Sequence, residues 1–120
     1  VTVIDCHSFP DIPLNRDLNK DMPRPDFCLG VDEYHTPVDL YLPVQELLTK
    51  LGYTVLINSP YSGTMIPLKY YQRNKNVKGL MIEVNRKLYM NSTNGVISKT
   101  ATFDKIRETI KTLFQVLEDS

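Results

Sequence analysis

Three apolar segments without polar alternation are the main constraint on how this chain can fold. Residues 1–6, 53–57 and 79–84 are each rich in β-branched and aliphatic side chains. This pattern is typical of strands that are covered on both faces of a sheet. Only two segments, 40–51 and 103–117, repeat apolar residues at helical spacing. The sequence therefore predicts an α/β fold in which two helices are too few to cover both faces of the sheet.

The start of the chain also suggests that polypeptide needed to cover the sheet is missing. The sequence opens at Val1 and enters a buried strand at once. We therefore expect residues 1–120 to form one domain that is truncated at its N-terminus. Exposed apolar surface on the sheet would favour association, either with the missing N-terminal half or with a second copy in a homodimer.

Composition excludes several classes of protein. The 14 basic side chains balance the 14 acidic ones, so the broad positive charge of a nucleic-acid-binding protein is absent. No apolar run approaches the ~20 residues that a membrane span requires. Two cysteines are too few to build a disulfide scaffold, which favours a reduced, cytoplasmic protein. We expect neither a nucleic-acid nor a membrane partner.

Loops and helix signals organise the remaining sequence. Residues 9–25 hold four prolines and exceed an ordinary connection in length, which is typical of functional or mobile loops. A short strand is predicted at residues 27–31. Thr36 followed by Pro37 predicts a helix start with Thr36 as its N-cap, and Gly52 predicts its end.

His7 is the first candidate for chemistry. It follows a buried strand, at the sheet edge where α/β proteins usually place their sites. Asp5 lies two residues earlier and projects to the same face, where it could orient the imidazole as metal-bound histidines require. The alternative is a core histidine that bonds a backbone carbonyl. By contrast, His35 precedes a helix and is expected to be exposed, while Cys6 and Cys28 are expected to pack as small apolar side chains.

Glu83 is the second candidate, because it interrupts the apolar strand at residues 79–84. A buried carboxylate costs several kcal/mol unless it is paired, hydrogen-bonded or protonated. A raised pKa is what a general acid or base needs, so catalysis is the favoured interpretation. The alternative is a structural ion pair with Arg86 or another base.

Two arginines and one turn could bind a polar substrate. Arg24 lies between prolines before a strand, and Arg86 lies at a strand end, so either could grip a carboxylate through two parallel hydrogen bonds. The turn at residues 58–64 is rich in hydroxyl and amide groups but lacks the lysine and glycine spacing of a phosphate-binding loop. An ordinary exposed turn is the alternative.

Four blocks together resemble the N-formylglutamate amidohydrolase family. They occur in the family's order and span about residues 5–90. The blocks are Asp5-Cys6-His7-Ser8-Phe9, Arg24-Pro25-Asp26-Phe27-Cys28-Leu29-Gly30, Asn58-Ser59-Pro60-Tyr61-Ser62-Gly63 and Ile82-Glu83-Val84-Asn85-Arg86-Lys87-Leu88-Tyr89-Met90. The resemblance implies a mixed, mainly parallel sheet flanked by helices, as in zinc carboxypeptidases and in succinylglutamate desuccinylase and aspartoacylase.

The resemblance also implies a function. It implies a zinc-dependent amidohydrolase that hydrolyses an N-acyl amino acid such as N-formylglutamate, in the setting of histidine catabolism. By this comparison His7 is one ligand of a single zinc ion, and Glu83 activates the zinc-bound water. The substrate side is implied to include Ser8, Arg24, Asn58, Tyr61, Ser62 and Arg86.

The resemblance also implies that this chain is shorter than a complete member of the family. Family members run to about twice this length, and the other two zinc ligands are expected in the N-terminal half. The isolated chain is therefore expected to be incomplete or inactive. Two alternatives stay open from the residues: a non-catalytic module that binds a carboxylate, and a structural domain in which Glu83 and His7 pair with each other.

Overall fold

Four strands form a mixed sheet, in the spatial order β1 (Thr2–Phe9), β4 (Lys78–Asn85), β2 (Phe27–Gly30) and β3 (Val55–Ile57). The computed structural model describes residues 1–119. The elements of the main sheet and its helices are β1 (Thr2–Phe9), β2 (Phe27–Gly30), α1 (Val38–Lys50), β3 (Val55–Ile57), β4 (Lys78–Asn85) and α2 (Phe103–Glu118). A 3₁₀ turn (Arg86–Leu88) follows β4 and leads into a separate hairpin, β5 (Met90–Thr93) and β6 (Val96–Lys99).

The pairing of the strands agrees with the predicted fold class. β1 lies parallel to β4 and β2 lies parallel to β3, while β2 and β4 are antiparallel. The α/β prediction is therefore confirmed, and the sheet is mixed with two of its three pairings parallel. No helix among residues 1–119 is both long and apolar enough to cross a membrane.

Both helices pack on one face of the sheet. Successive side chains of a strand point to opposite faces, and paired residues on adjacent strands share a face. The buried core joins apolar residues of α1 and α2 to every second residue of the strands. Its members are Phe27, Leu29, Leu40, Val44, Leu48, Leu80, Ile82, Val84, Ile106 and Leu113. We call this side of the sheet the helix face.

Irregular segments, rather than helices, cover the opposite face, which we call the loop face. A Cβ atom added to Gly30 of β2 would lie 2.0 Å from the carbonyl oxygen of Gly63. One added to Gly79 of β4 would lie 2.5 Å from the side chain of Ile66. The segment after β3 therefore lies directly against the sheet, and only glycine at position 30 permits this approach. The expectation that two helices could not cover both faces holds for residues 1–119.

One local prediction was wrong, and one pair of strands was not predicted. The hydroxyl of Thr36 donates to the carbonyl of Gly79 and so does not cap α1, whose N-cap residue is Pro37. The β5–β6 hairpin was not predicted, although its Asn94-Gly95 turn carries the usual hairpin signal and both residues have positive φ. Its flanking residues are exposed and lack a clear apolar alternation, which explains why the strands escaped notice.

His35 is buried, which contradicts the prediction that it is exposed. Its Nε2 accepts a hydrogen bond from the Gln72 amide at 2.9 Å, so the ring proton resides on Nδ1 and is donated to the Val77 carbonyl at 2.7 Å. These two bonds attach the segment before β4 to the segment before α1. Sequence spacing could not reveal them because their partners lie about 40 residues away.

Replacing His35 with Leu should lower the free energy of unfolding by ~2–4 kcal/mol, because the buried Val77 carbonyl and the part-buried Gln72 amide both lose their partner. Chemical denaturation of the 120-residue chain measures this change. The matched control is H7Q, since His7 is half-exposed and its replacement should cost no more than ~1 kcal/mol. Equal losses in the two variants would contradict the role of His35.

Candidate active site

Three chemically capable side chains form one row across the loop face of the sheet. The strand register pairs His7 of β1 with Glu83 of β4, and Glu83 with Cys28 of β2. Paired residues point to the same face, so the row places an imidazole, a carboxyl group and a thiol on adjacent strands. The structure thus brings together the two residues, His7 and Glu83, that the sequence singled out.

The carboxyl group of Glu83 is buried and has no hydrogen-bond or ion-pair partner among residues 1–119. The residue is 7% exposed, and its Oε2 atom is buried without a hydrogen bond. None of the ion pairs among residues 1–119 includes it. The alternative of a structural ion pair with Arg86 is therefore wrong, as is the alternative of a salt bridge with His7.

The surroundings of Glu83 shift its protonation. Burial raises the pKa of its carboxyl group above the ordinary value, and the Asp5 carboxylate adds to that shift. Electrostatic interactions with His7, Arg86 and Arg24 oppose this rise in the pKa of Glu83. A carboxyl group in this state exchanges a proton nearer to neutral pH than an exposed one does, which suits general acid–base chemistry.

His7 stands at the edge of the sheet in contact with Asp5. Its Nε2 lies 2.8 Å from Oδ1 of Asp5, and the His7 side chain is 49% exposed. The exposure excludes the alternative of a buried core histidine. The contact with Asp5 agrees with the predicted pairing of the two side chains, and the role of that pair toward a metal stays a prediction.

A complete zinc site is not found within residues 1–119. Catalytic zinc takes three protein ligands and leaves one position open. No group of three His, Cys, Asp or Glu side chains in the described part of the chain could hold a metal ion. Of the predicted metal-binding residues, the half-exposed imidazole of His7 has the chemistry and the accessibility of one zinc ligand.

Arg24 differs most from its predicted environment. Its guanidinium group is fully buried and donates to Asp17, to the Tyr61 hydroxyl and to two backbone carbonyls. Its Nε is also buried and has no hydrogen-bond partner among residues 1–119, so the side chain offers no solvent-accessible donor to a substrate carboxylate. The prediction that Arg24 contacts substrate is therefore at odds with the arrangement seen here.

Arg86 and Ser8 lie together where β4 and β1 end. The Arg86 Nε donates to the Ser8 hydroxyl at 3.2 Å, and a second nitrogen donates to the Ser8 carbonyl. Ser8 is exposed and Arg86 is partly exposed. Ser8 follows His7 in β1 and so points to the helix face, and Arg86 is the first residue of the 3₁₀ turn after β4. Of the two predicted arginines, Arg86 is the one with an accessible side chain beside the row.

The turn after β3 is held in place by its own polar groups. Oδ1 of Asn58 accepts from the amides of Val31 and Gly63, and Asn58 itself has a positive φ of 57°. Tyr61 contacts Arg24 through its hydroxyl and packs its ring on Phe9. Ser62 is exposed. In this turn the structure gives Asn58 and Tyr61 structural contacts and leaves Ser62 free to face a substrate.

Cys28 is a neighbour of Glu83 that the sequence reading did not connect to the site. It is buried as predicted, and its thiol donates to the Tyr61 carbonyl at 3.2 Å. Its place beside Glu83 depends on the antiparallel pairing of β2 with β4, for which the sequence carried no signal. Cys6 is exposed, contrary to prediction, because β1 lies at the edge of the sheet.

A groove opens beside β1 on the helix face. β1 pairs only with β4, so within residues 1–119 its outer edge has no strand neighbour. The groove has a volume of about 500 Å³ and lies between this edge and α2. Its lining is mostly apolar and includes Cys6, His7, Ser8, Ile82, Val84, Tyr89, Phe103, Ile106, Ile110, Leu113 and Phe114.

Comparison with known proteins relates this chain to one family. The family described as N-formylglutamate amidohydrolase matches residues 1–90. The chain is also similar to the crystal structure of N-formylglutamate amidohydrolase from Ralstonia eutropha JMP134, with a TM-score of 0.75 and 26% sequence identity. That match covers 98% of this chain and 42% of the other, so this chain spans less than half of that relative's length. Among curated proteins no match was found.

The buried carboxyl group of Glu83 should make stability depend on pH. With rising pH the unfolded chain ionises at the ordinary pKa, while folded Glu83 stays protonated up to its raised pKa, so folding loses stability in between. E83Q does not titrate. At about pH 4 the free energy of unfolding of E83Q should equal that of the wild type, and at about pH 7.5 it should be higher. Denaturant titrations with a chelator present measure both, and a difference that stays constant with pH would contradict the assignment.

Proposed function

Because the chain belongs to the N-formylglutamate amidohydrolase family, we propose that it carries part of the active site of a zinc-dependent amidohydrolase. The proposed substrate is an N-acyl amino acid such as N-formylglutamate, which would be hydrolysed to the free amino acid and a carboxylate. The observation that carries the proposal is Glu83, whose carboxyl group is buried and unpartnered beside His7. The proposal includes a place in histidine catabolism. It also includes a reducing compartment such as the cytoplasm, with which the free thiols of both cysteines agree.

Glu83 has the features of the proton-transfer group. As water attacks the acyl carbon, Glu83 would accept one proton from that water. When the carbon–nitrogen bond breaks, the same carboxyl group would return the proton to the departing nitrogen, which leaves as the amine. Its raised pKa supports both roles, since the group must take up and release a proton in one cycle.

His7 is the residue of this chain that would hold zinc. Bound zinc would lower the pKa of its water toward ~7 and polarise the scissile carbonyl. Asp5, at 2.8 Å from Nε2, would fix the orientation of the imidazole. The other ligands would come from polypeptide outside residues 1–119, either the rest of a family-length protein or a second copy.

The open side of β1 is where that polypeptide would dock. The edge of β1 without a strand neighbour, the apolar groove beside it and the half-exposed His7 all lie at the same border of the sheet. A strand added along β1 would fill the groove and bring new side chains next to His7. This arrangement is compatible with the sheet of a zinc-carboxypeptidase-like fold continuing beyond β1.

Arg86 and Ser8 are the best placed residues for contact with the substrate. The partly exposed guanidinium group of Arg86, just after β4, could bind the substrate carboxylate through two hydrogen bonds. Ser62 and the remaining surface of the turn at residues 58–63 would border the same space. Asn58 and Tyr61 would contribute by holding that turn against the sheet.

Replacing Glu83 with Gln in a family-length polypeptide that carries these residues should lower kcat for N-formylglutamate by ~100-fold or more, because the proton acceptor is lost. Zinc content should stay unchanged, because Glu83 is not a proposed ligand. The matched control is E46Q, which alters an exposed residue of α1 and should leave kcat unchanged. An E83Q enzyme that keeps wild-type kcat would rule out the assignment.

Metal analysis tests the division of the zinc site. The 120-residue chain, purified as a monomer, should retain well below one zinc per chain, whereas a family-length polypeptide should retain about one. H7Q should reduce the zinc content of the longer polypeptide. About one zinc bound tightly by the monomeric short chain would contradict a site shared with other polypeptide. Zinc bound only by a dimer would identify the second copy as the source of the ligands.

A further inference from the structure

Arg24 connects parts of the chain that the sheet does not hold together. One terminal nitrogen donates to the carbonyl of Pro10 at the end of β1 and to the hydroxyl of Tyr61. The other donates to the carboxylate of Asp17 at 2.9 Å and to the carbonyl of Asn19. One side chain thus joins the long loop after β1 to the turn after β3.

Aromatic rings enclose the same guanidinium group. Its central carbon lies 5.8 Å from the centre of the Phe9 ring and 5.5 Å from that of Tyr61. These distances allow a cation–π interaction with each ring. Phe9 and Tyr61 also contact each other edge to face. The planar guanidinium group suits this environment, and the compact ammonium group of a lysine does not.

Asp17 already occupies the place of a carboxylate ligand. Its Oδ2 accepts from Arg24 at 2.9 Å and from the Leu14 amide at 2.8 Å. Because Asp17 lies in the same loop, only seven residues from Arg24, it competes with any free carboxylate at a high effective concentration. Arg24 therefore has its anion supplied from within the chain.

The connection reaches the neighbour of Glu83. The carbonyl oxygen of Tyr61 accepts the thiol hydrogen of Cys28, and Cys28 pairs with Glu83 across β2 and β4. Fixing Tyr61 through Arg24 therefore fixes the polypeptide that lies over this part of the loop face.

We propose that Arg24 is a positioning residue that clamps residues 10–23 and 58–63 together over the loop face, with Asp17 as its permanent anion, and that it does not bind the substrate carboxylate. The clamp is a property of this chain, and its kinetic consequence rests on the proposed function. Without it, the two segments would move apart from the sheet beside Glu83.

Hydrogen exchange in the 120-residue chain tests the clamp without any need for activity. In D17N, which keeps the size of the side chain and removes its charge, amide exchange should rise at least ~10-fold in both residues 10–23 and 58–63, with β2 and β4 unchanged. R24K should behave similarly because an ammonium group cannot make the four directed bonds. The control is R16M, which removes an exposed positive charge from the same loop and should leave residues 58–63 unchanged. Faster exchange confined to residues 10–23, or no change in D17N, would overturn the proposal.

Kinetics in a family-length polypeptide separates positioning from substrate binding. If Arg24 positions the loops, D17N and R24K should lower kcat by the same factor for N-formylglutamate and N-formylglutamine, with KM changed less than ~2-fold. If Arg24 binds the side-chain carboxylate, KM should rise for N-formylglutamate alone, and this result would overturn the proposal. A wild-type enzyme inactive on both compounds would instead contradict the proposed function, while the exchange experiment would still decide whether the clamp exists.

Discussion

The pairing of β4 between β1 and β2 is the constraint on which the rest of the site depends. It places Glu83 in the interior of the sheet with His7 on one side and Cys28 on the other. Because side chains alternate along a strand, a shift of one residue would turn Glu83 into the apolar core on the helix face. The apolar neighbours of Glu83 in β4, which pack under the helices, fix the register and so direct the carboxyl group to the loop face.

The helix face of the sheet stabilises the fold, and the loop face carries the candidate site. The helix face holds a continuous apolar core, in which each large side chain contributes about 1.5–3 kcal/mol when fully buried. The loop face holds a buried carboxyl group without a partner, and such a group destabilises the fold. The stabilisation from the apolar core on the helix face offsets the destabilisation caused by the buried carboxyl group on the loop face. Loops, which are more easily remodelled than helices, then shape the surface over the reactive groups.

Sequence reasoning singled out His7 and Glu83, which the fold places side by side, but it did not predict the surroundings of other candidate residues. Glu83 could be recognised because a charge within an apolar strand is conspicuous, and His7 because it lies near Asp5 at the end of an apolar segment. The burial of Arg24 and His35 could not be predicted, since each depends on partners that only the folded chain brings near. The element types followed from local pattern, whereas strand order and the sharing of one face by both helices are long-range properties.

The close approach at Gly30 has a consequence for how this protein can vary. Any side chain there would meet the backbone of Gly63, which cannot rotate away as a side chain could. Position 30 should therefore tolerate no other amino acid among functional variants, although it makes no contact with a reacting group. By the same reasoning, the segment opposite it can change its side chains but not its path. Mutational tolerance in this region is thus governed by the shape of the backbone.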